Sequence, residues 1–244
     1  MKHQNNLLWQ LSLVMLVILL LFCTVSTIPA QTVPEIAEKA LAATVYLEMY
    51  DSNGATLGIG SGFFIQKNQI ATNYHVIKGA MRGTAKLVGK STTYIIEGVT
   101  ATDKTNDLVI LKVMASGVKP LPLGDSDVVR IGEAVYVAGN PKGLEGTFSN
   151  GIISSLRDRS TKERLQMTAP ISPGSSGGPV LNSKGKVIGV SFMTLVGGQN
   201  LNFAIPVNTL KVLLGRSGAV IPFTYVDPIR FAEVYLRWGK KNMN

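Results

Sequence analysis

Hydrophobic positions in this chain fall into short runs broken by turn residues. β-Branched and aromatic clusters at 44–50, 60–65, 93–99, 108–114, 134–138, 151–155, 164–169 and 187–192 are separated by Gly, Asn, Asp and Pro. That spacing predicts strands. Many short strands without intervening helical periods suggest closed barrels or a sandwich rather than βαβ units. Residues 115–122, with Gly117, Pro120 and Pro122, form a natural boundary between two halves. Helical patterns flank the strands. One covers 31–43 with Pro34 at its start. Another covers 207–214, with Pro206 before it and Gly215 as its stop. A third spans 227–238, placing Ile229, Val234, Tyr235 and Trp238 on one side.

The first thirty residues read as an address. Lys2 and His3 make a short basic start, and an unbroken apolar run extends over 13–23, lengthened by Leu7, Leu8, Trp9 and Leu11. A run of this size suits the core of an export signal, with Ala30 or Ser26 at the cleavage position. Counted from Leu7, residues 7–23 also reach the length of an uncleaved membrane anchor. Both readings place the remainder of the chain outside the cytoplasm, as a periplasmic or extracellular protein. Phe22 stands where a lipoprotein site at Cys23 would want a small residue.

At 45% hydrophobic and 16% charged residues the chain is too apolar for a disordered protein. Its net charge of +9 lacks a basic run with interleaved aromatics, so nucleic acid is not an expected partner. One cysteine excludes an internal disulfide, and no Cys/His cluster points to a metal or another cofactor. His75 is the only histidine beyond the N-terminal segment. Chemistry needing an imidazole base must use it.

Three sites carry candidate chemistry. In Gly174-Ser175-Ser176-Gly177-Gly178 a serine stands among glycines before a strand. There the backbone can turn sharply and aim consecutive N–H groups at one oxyanion. His75, in TNYHVI, supplies a base upstream. Asp107 precedes Leu108-Val109-Ile110-Leu111, a non-alternating run that reads as a strand buried on both faces. A carboxylate at that entrance is partly desolvated and needs a hydrogen-bonded partner, which a histidine N–H provides. Asp103 is the rival.

The order His75, Asp107, Ser176 resembles that of chymotrypsin-type serine proteases. The segments GSGFFI (60–65), TNYHVI (72–77), NDLVILKV (106–113), LPLGDSD (121–127), GNPKG (139–143), NGIISS (150–155), APISPGSSGGPV (169–180) and NFAIPVNTL (202–210) resemble the HtrA/Deg branch, in the expected order. The resemblance implies an all-β fold of two six-stranded antiparallel Greek-key barrels over 31–214. It implies a Ser176–His75–Asp107 triad, with the Gly174 and Ser176 N–H groups as the oxyanion hole. Substrates are then unfolded or misfolded polypeptides, and a homotrimer is an expected assembly. In trypsin-like relatives an Asp six residues before the nucleophile selects basic side chains. Pro170 stands there, and no carboxylate lies between Glu163 and Ser176. Ile171, Phe192, Met193 and Leu195 are the expected pocket lining, which suits a small aliphatic side chain.

The pattern departs from that branch at Tyr74 and Ser175, where Asn is frequent, and at Thr168, where Asp is frequent. Residues 215–244 are too few for the PDZ domain typical of the branch, so the expected tail is a short one with a helix. Two alternatives accompany this reading. One is a latent protease-fold binding module. The other is a processing protease acting on one partner at the membrane.

Overall fold

The computed structural model describes residues 31–157, 164–194 and 200–226, together with Trp9 and residues 12–15. The chain forms two units, Met1–Ala30 and Gln31–Asn244. In the first, Trp9 and residues 12–15 are helical, and the Ser12 hydroxyl donates to the Trp9 carbonyl at 2.9 Å. The apolar run 16–23 and the helix expected over 227–238 lie outside the described residues. Among the described residues no helix is long and apolar enough to cross a membrane.

The second unit opens with α1, Val33–Ala43, two residues inside the expected start. Thr32 caps it. Its side chain accepts from the Glu35 amide, and the Glu35 carboxylate accepts from the Thr32 amide at 2.9 Å. This reciprocal box, with Pro34 in the first turn, fixes where the helix begins.

Twelve strands follow. The first six are β1 Thr44–Tyr50, β2 Thr56–Gln66, β3 Gln69–Thr72, β4 Arg82–Leu87, β5 Thr93–Asp103 and β6 Leu108–Val113. The second six are β7 Ala134–Gly139, β8 Thr147–Arg157, β9 Arg164–Met167, β10 Pro179–Asn182, β11 Val187–Thr194 and β12 Asn202–Pro206. Both sets close into antiparallel barrels in the same order. The first runs β1-β2-β3-β6-β5-β4 and the second β7-β8-β9-β12-β11-β10. Closure pairs each strand with two neighbours, so most sheet edges need no other protection. β3, β4, β10 and β12 fall outside the expected strand runs. β3 and β10 have only four residues each, β10 begins with Pro, and β4 (RGTAKL) carries almost no apolar signal. Neighbouring strands, not local propensity, hold them.

Three apolar clusters explain the packing. One fills the first barrel with residues such as Leu47, Phe64, Val109 and Leu111. One fills the second with Val137, Ile153, Met167 and Val180. The third joins the barrels and the helices, uniting Phe63, Leu108 and Ile110 with Leu181, Ile205, Ile36 and Leu210. β6 accordingly sends Val109, Leu111 and Val113 into its own barrel and Leu108 and Ile110 into the junction. A two-residue period with both faces apolar is what its uninterrupted LVIL run encodes.

Residues 114–133 connect the barrels and are stitched to both. The Leu121 amide donates to the Phe64 carbonyl at 2.9 Å and the Gly124 amide to the Val187 carbonyl at 2.7 Å. After β12 comes α3, Val207–Leu214. The chain then returns to the first barrel, where Ile221 and Val99 exchange two backbone bonds of 2.8 Å. Phe223, opening the short helix Phe223–Val226, is buried in the first barrel's cluster.

Candidate active site

His75 and Asp107 meet because β3 and β6 are antiparallel neighbours. Their register pairs Thr72 with Val109. The chain leaving β3 therefore passes beside the chain entering β6. His75 lies in the short helix α2, Tyr74–Ile77, and Asp107 directly precedes β6. The Asp107 carboxylate accepts from the His75 backbone N–H at 2.8 Å and contacts the His75 ring Nδ1 at 2.6 Å. The Asp107 carbonyl accepts from the Tyr74 amide and the Asn73 side chain, both at 3.1 Å. Asp107 has φ +59°, a left-handed conformation that costs a non-glycine residue about 1 kcal/mol. These four contacts hold it there. Asp103 is committed elsewhere. Its two oxygens accept from the Asn106 amide at 2.9 Å and the Asn106 side chain at 2.8 Å, shaping the turn before β6.

Ser176 lies on the β9–β10 loop of the second barrel. Ser172-Pro173-Gly174-Ser175 is a tight turn closed by the Ser175 amide donating to the Ser172 carbonyl at 2.8 Å. Pro at the second position and Gly174, φ +97°, at the third fit a type II turn. Such a turn directs its middle peptide away from its own hydrogen bond. Among the described residues the amides of Gly174 and Ser176 have no acceptor, so both are available to an oxygen placed before them. The Ser176 hydroxyl donates to the Phe192 carbonyl at 3.4 Å, a long and weak bond. No hydrogen bond joins Ser176 to His75 among the described residues.

A buried serine holds this loop against the first barrel. Ser61, on β2, donates its amide proton to the Ser176 carbonyl at 2.9 Å and its hydroxyl proton to the Gly174 carbonyl at 2.7 Å. The same hydroxyl accepts from the Asn140 amide at 2.9 Å. Its carbonyl accepts from the Thr72 hydroxyl at 2.7 Å. Sequence reasoning missed Ser61 and Asn140 as site residues. Their only signal was membership in GSGFFI and GNPKG.

The residues expected in a substrate pocket separate into different places. The Phe192 ring faces His75 edge-on, with centroids 6.3 Å apart. Ile171 lines a cavity of about 150 Å³ on the β7–β8 side of the turn, with Val137, Thr147, Ser149, Pro170 and Ser175, and Phe192 does not line it. Leu195 and the Met193 side chain lie outside the described residues. Thr168 ties β9 to β8, its hydroxyl accepting from the Ile152 amide at 3.0 Å.

β11 pairs with β10 only as far as Val190. Beyond the Ser191–Gly178 bond, Phe192 sits at a bulge and Met193 and Thr194 pair with β12 alone among the described residues, leaving an edge beside Ser176.

Residues 60–190 match the trypsin-like peptidase domain family. That span contains His75, Asp107 and Ser176. The chain belongs to this family. Its likeness is to the HtrA type. A putative serine protease HhoB of Synechocystis is 39% identical over 164 residues, covering 63% of this chain and 39% of that protein. A probable periplasmic serine endoprotease DegP-like of Rickettsia conorii is 38% identical over 185 residues, covering 70% of this chain and 36% of the relative. The chain thus spans less than half the length of either. Among solved structures, the serine endoprotease from Yersinia pestis superposes with a TM-score of 0.68 at 27% identity, covering 77% of this chain and 66% of that one. The two closed barrels of this trypsin-like, HtrA-type chain follow the same fold.

Proposed function

We propose that the protein is an exported serine endopeptidase that hydrolyses peptide bonds of unfolded or misfolded polypeptides. The observation that supports this reading is the 2.6 Å contact between His75 Nδ1 and Asp107, taken together with a serine loop that presents two open amides. Asp107 keeps the ring proton on Nδ1, leaving Nε2 to accept the Ser176 proton. When a peptide occupies the β11 edge, the Ser176 hydroxyl turns from the Phe192 carbonyl to His75. Its oxygen attacks the carbonyl carbon. The Gly174 and Ser176 amides stabilise the resulting oxyanion, and His75 returns the proton to the leaving amine. Water then repeats the sequence on the acyl-enzyme, with His75 as base.

A small aliphatic side chain is preferred at the cleavage position, as the missing carboxylate at Pro170 suggests. The apolar N-terminal run directs export, in keeping with the periplasmic name of the Rickettsia relative. Assembly as a homotrimer follows the HtrA resemblance.

The test is hydrolysis of an unfolded protein by the full chain beside Ser176→Ala. Cleavage by the parent, lowered about 10⁴-fold or more in the variant, is the expected result. Equal turnover by both would overturn the assignment. No turnover by a folded parent that also resists a serine-directed covalent probe would favour a binding module. The weak Ser176–Phe192 bond is the observation on that side.

A further inference from the structure

Phe192 occupies an irregular point in β11. Ser191 pairs with Ala204 and Met193 with Phe203, so Phe192 is the extra residue of a β-bulge between them. A bulge re-aims the side chain it carries. Here the ring reaches the first barrel, where its centroid lies 6.3 Å from that of the His75 ring, edge-on at 68°. The Phe192 carbonyl accepts the Ser176 hydroxyl at 3.4 Å. One residue therefore meets both the imidazole and the serine.

The bulge is fixed to the serine loop. The Ser191 amide donates to the Gly178 carbonyl at 2.9 Å and its hydroxyl to the Ser175 carbonyl at 2.5 Å. The Ser191 carbonyl accepts from the Gly177 amide at 2.9 Å. The Phe192 ring has a further neighbour in Arg164, whose guanidinium carbon lies 5.0 Å from its centroid. The second barrel thus places the ring that His75 meets.

His75 belongs to the first barrel, and its side chain is 46% exposed. The 2.6 Å contact with Asp107 holds Nδ1. One hydrogen bond fixes one atom and leaves the plane of the ring to be set by something else. Among the described residues, no hydrogen bond, ion pair or ring contact besides those with Asp107 and Phe192 holds the imidazole. We propose that Phe192 is a positioning residue, whose ring sets the plane of the His75 imidazole and so aims Nε2 at the Ser176 hydroxyl. The inference rests on the peptidase reading, and it moves Phe192 from a substrate pocket to the alignment of base and nucleophile. An aromatic pair in this geometry biases one orientation by up to about tenfold. A general base out of line with its nucleophile loses that factor in rate. Because Ser191 is bolted to the serine loop, a shift of that loop moves the Phe192 ring and carbonyl together.

The experiment uses the full chain with isotope-labelled histidine, in which His3 and His75 are the only imidazoles. His75→Ala identifies the His75 signals. In the parent, the Nδ1 proton held by Asp107 is expected as a far-downfield resonance. Phe192→Ala should broaden that resonance by exchange with water, although Asp107 is unchanged. On an unfolded-protein substrate it should lower kcat about tenfold and change KM less than about twofold. Phe192→Tyr keeps the ring and should retain both the resonance and kcat. Phe192→Leu fills the volume without a flat ring, and should show a weaker form of the Ala behaviour even if the Ala variant fails to fold. Far-UV circular dichroism checks the fold of each. Ala and Leu variants that match the parent in resonance and kcat, a loss confined to KM, or a Tyr variant no better than the Leu variant overturns the inference. So does a parent without the downfield resonance. That resonance is read without turnover, so a chain that hydrolyses nothing would count against the peptidase reading while the role of Phe192 is still decided.

Discussion

His75 is held by Asp107 at two points, through its backbone amide at 2.8 Å and its ring Nδ1 at 2.6 Å. One carboxylate thereby fixes both the position of the helix turn that carries the imidazole and the orientation of the ring. Asp107→Asn and Asp107→Ala should therefore separate two effects. Asn tolerates the left-handed backbone and preserves the fold, yet its amide favours the wrong ring tautomer. Turnover should drop about 10⁴-fold with little change in Tm. Ala loses the same catalytic function and also destabilises the fold by about 1 kcal/mol or more, since it lacks the side-chain contacts that offset φ +59°. Thermal melts and kcat for the two variants check this.

Ser61→Ala should weaken a site residue that never touches substrate. The change leaves the buried Asn140 amide and the Gly174 carbonyl without the hydroxyl they share. An unsatisfied buried group costs about 1–3 kcal/mol. The oxyanion turn loses its tie to the first barrel, so kcat should fall about tenfold or more while KM changes little. A fall in KM-controlled affinity alone would contradict the role given to Ser61.

Gly177→Ala should prevent normal folding. Gly177 has φ +87°, and a Cβ there would lie 2.2 Å from both the Ser61 carbonyl and the Thr72 hydroxyl. Neither can retreat, since both belong to the contact between the barrels. A loss exceeding about 4 kcal/mol is expected, read as insoluble expression or a collapsed Tm. Gly89→Ala is the comparison, at φ +68° with nothing within 4 Å of the added carbon. It should cost only about 1 kcal/mol.

Phe223→Ala tests the returning segment after α3. Phe223 is 6% exposed and packs in the first barrel's core although it follows the last strand of the second. Removing the ring should cost about 3–5 kcal/mol. The Ile221–Val99 pairing should loosen with it, seen as faster amide exchange at both residues.

Much of the fold was legible locally. The spacing of Gly and Pro between β-branched clusters announced short strands. The uninterrupted LVIL run announced a strand buried on both faces, and the clusters it divides into are those found. Pro34 marked a helix start, one residue after the position at which the helix begins. β4 and β10 were not legible, because their residues are held by partners rather than by their own pattern.

What the sequence by itself determined is the chemistry on offer. It supplied a glycine-flanked serine, one histidine beyond the N-terminal segment, and two acids before a buried strand, with motifs resembling one protease branch. The tertiary structure alone decided which of these groups meet. The β3–β6 register brought Asp107 rather than Asp103 to His75, and the Asn106 turn occupied the rival. Ser61 became a site residue only because β2 of one barrel runs against the serine loop of the other. Ile171 and Phe192, expected in one pocket lining, sit in different surroundings. The physical reason is that periodicity and turn chemistry report on neighbours a few residues apart. A site built across two barrels depends on pairings between residues as much as 113 positions apart, such as Ser61 with Gly174.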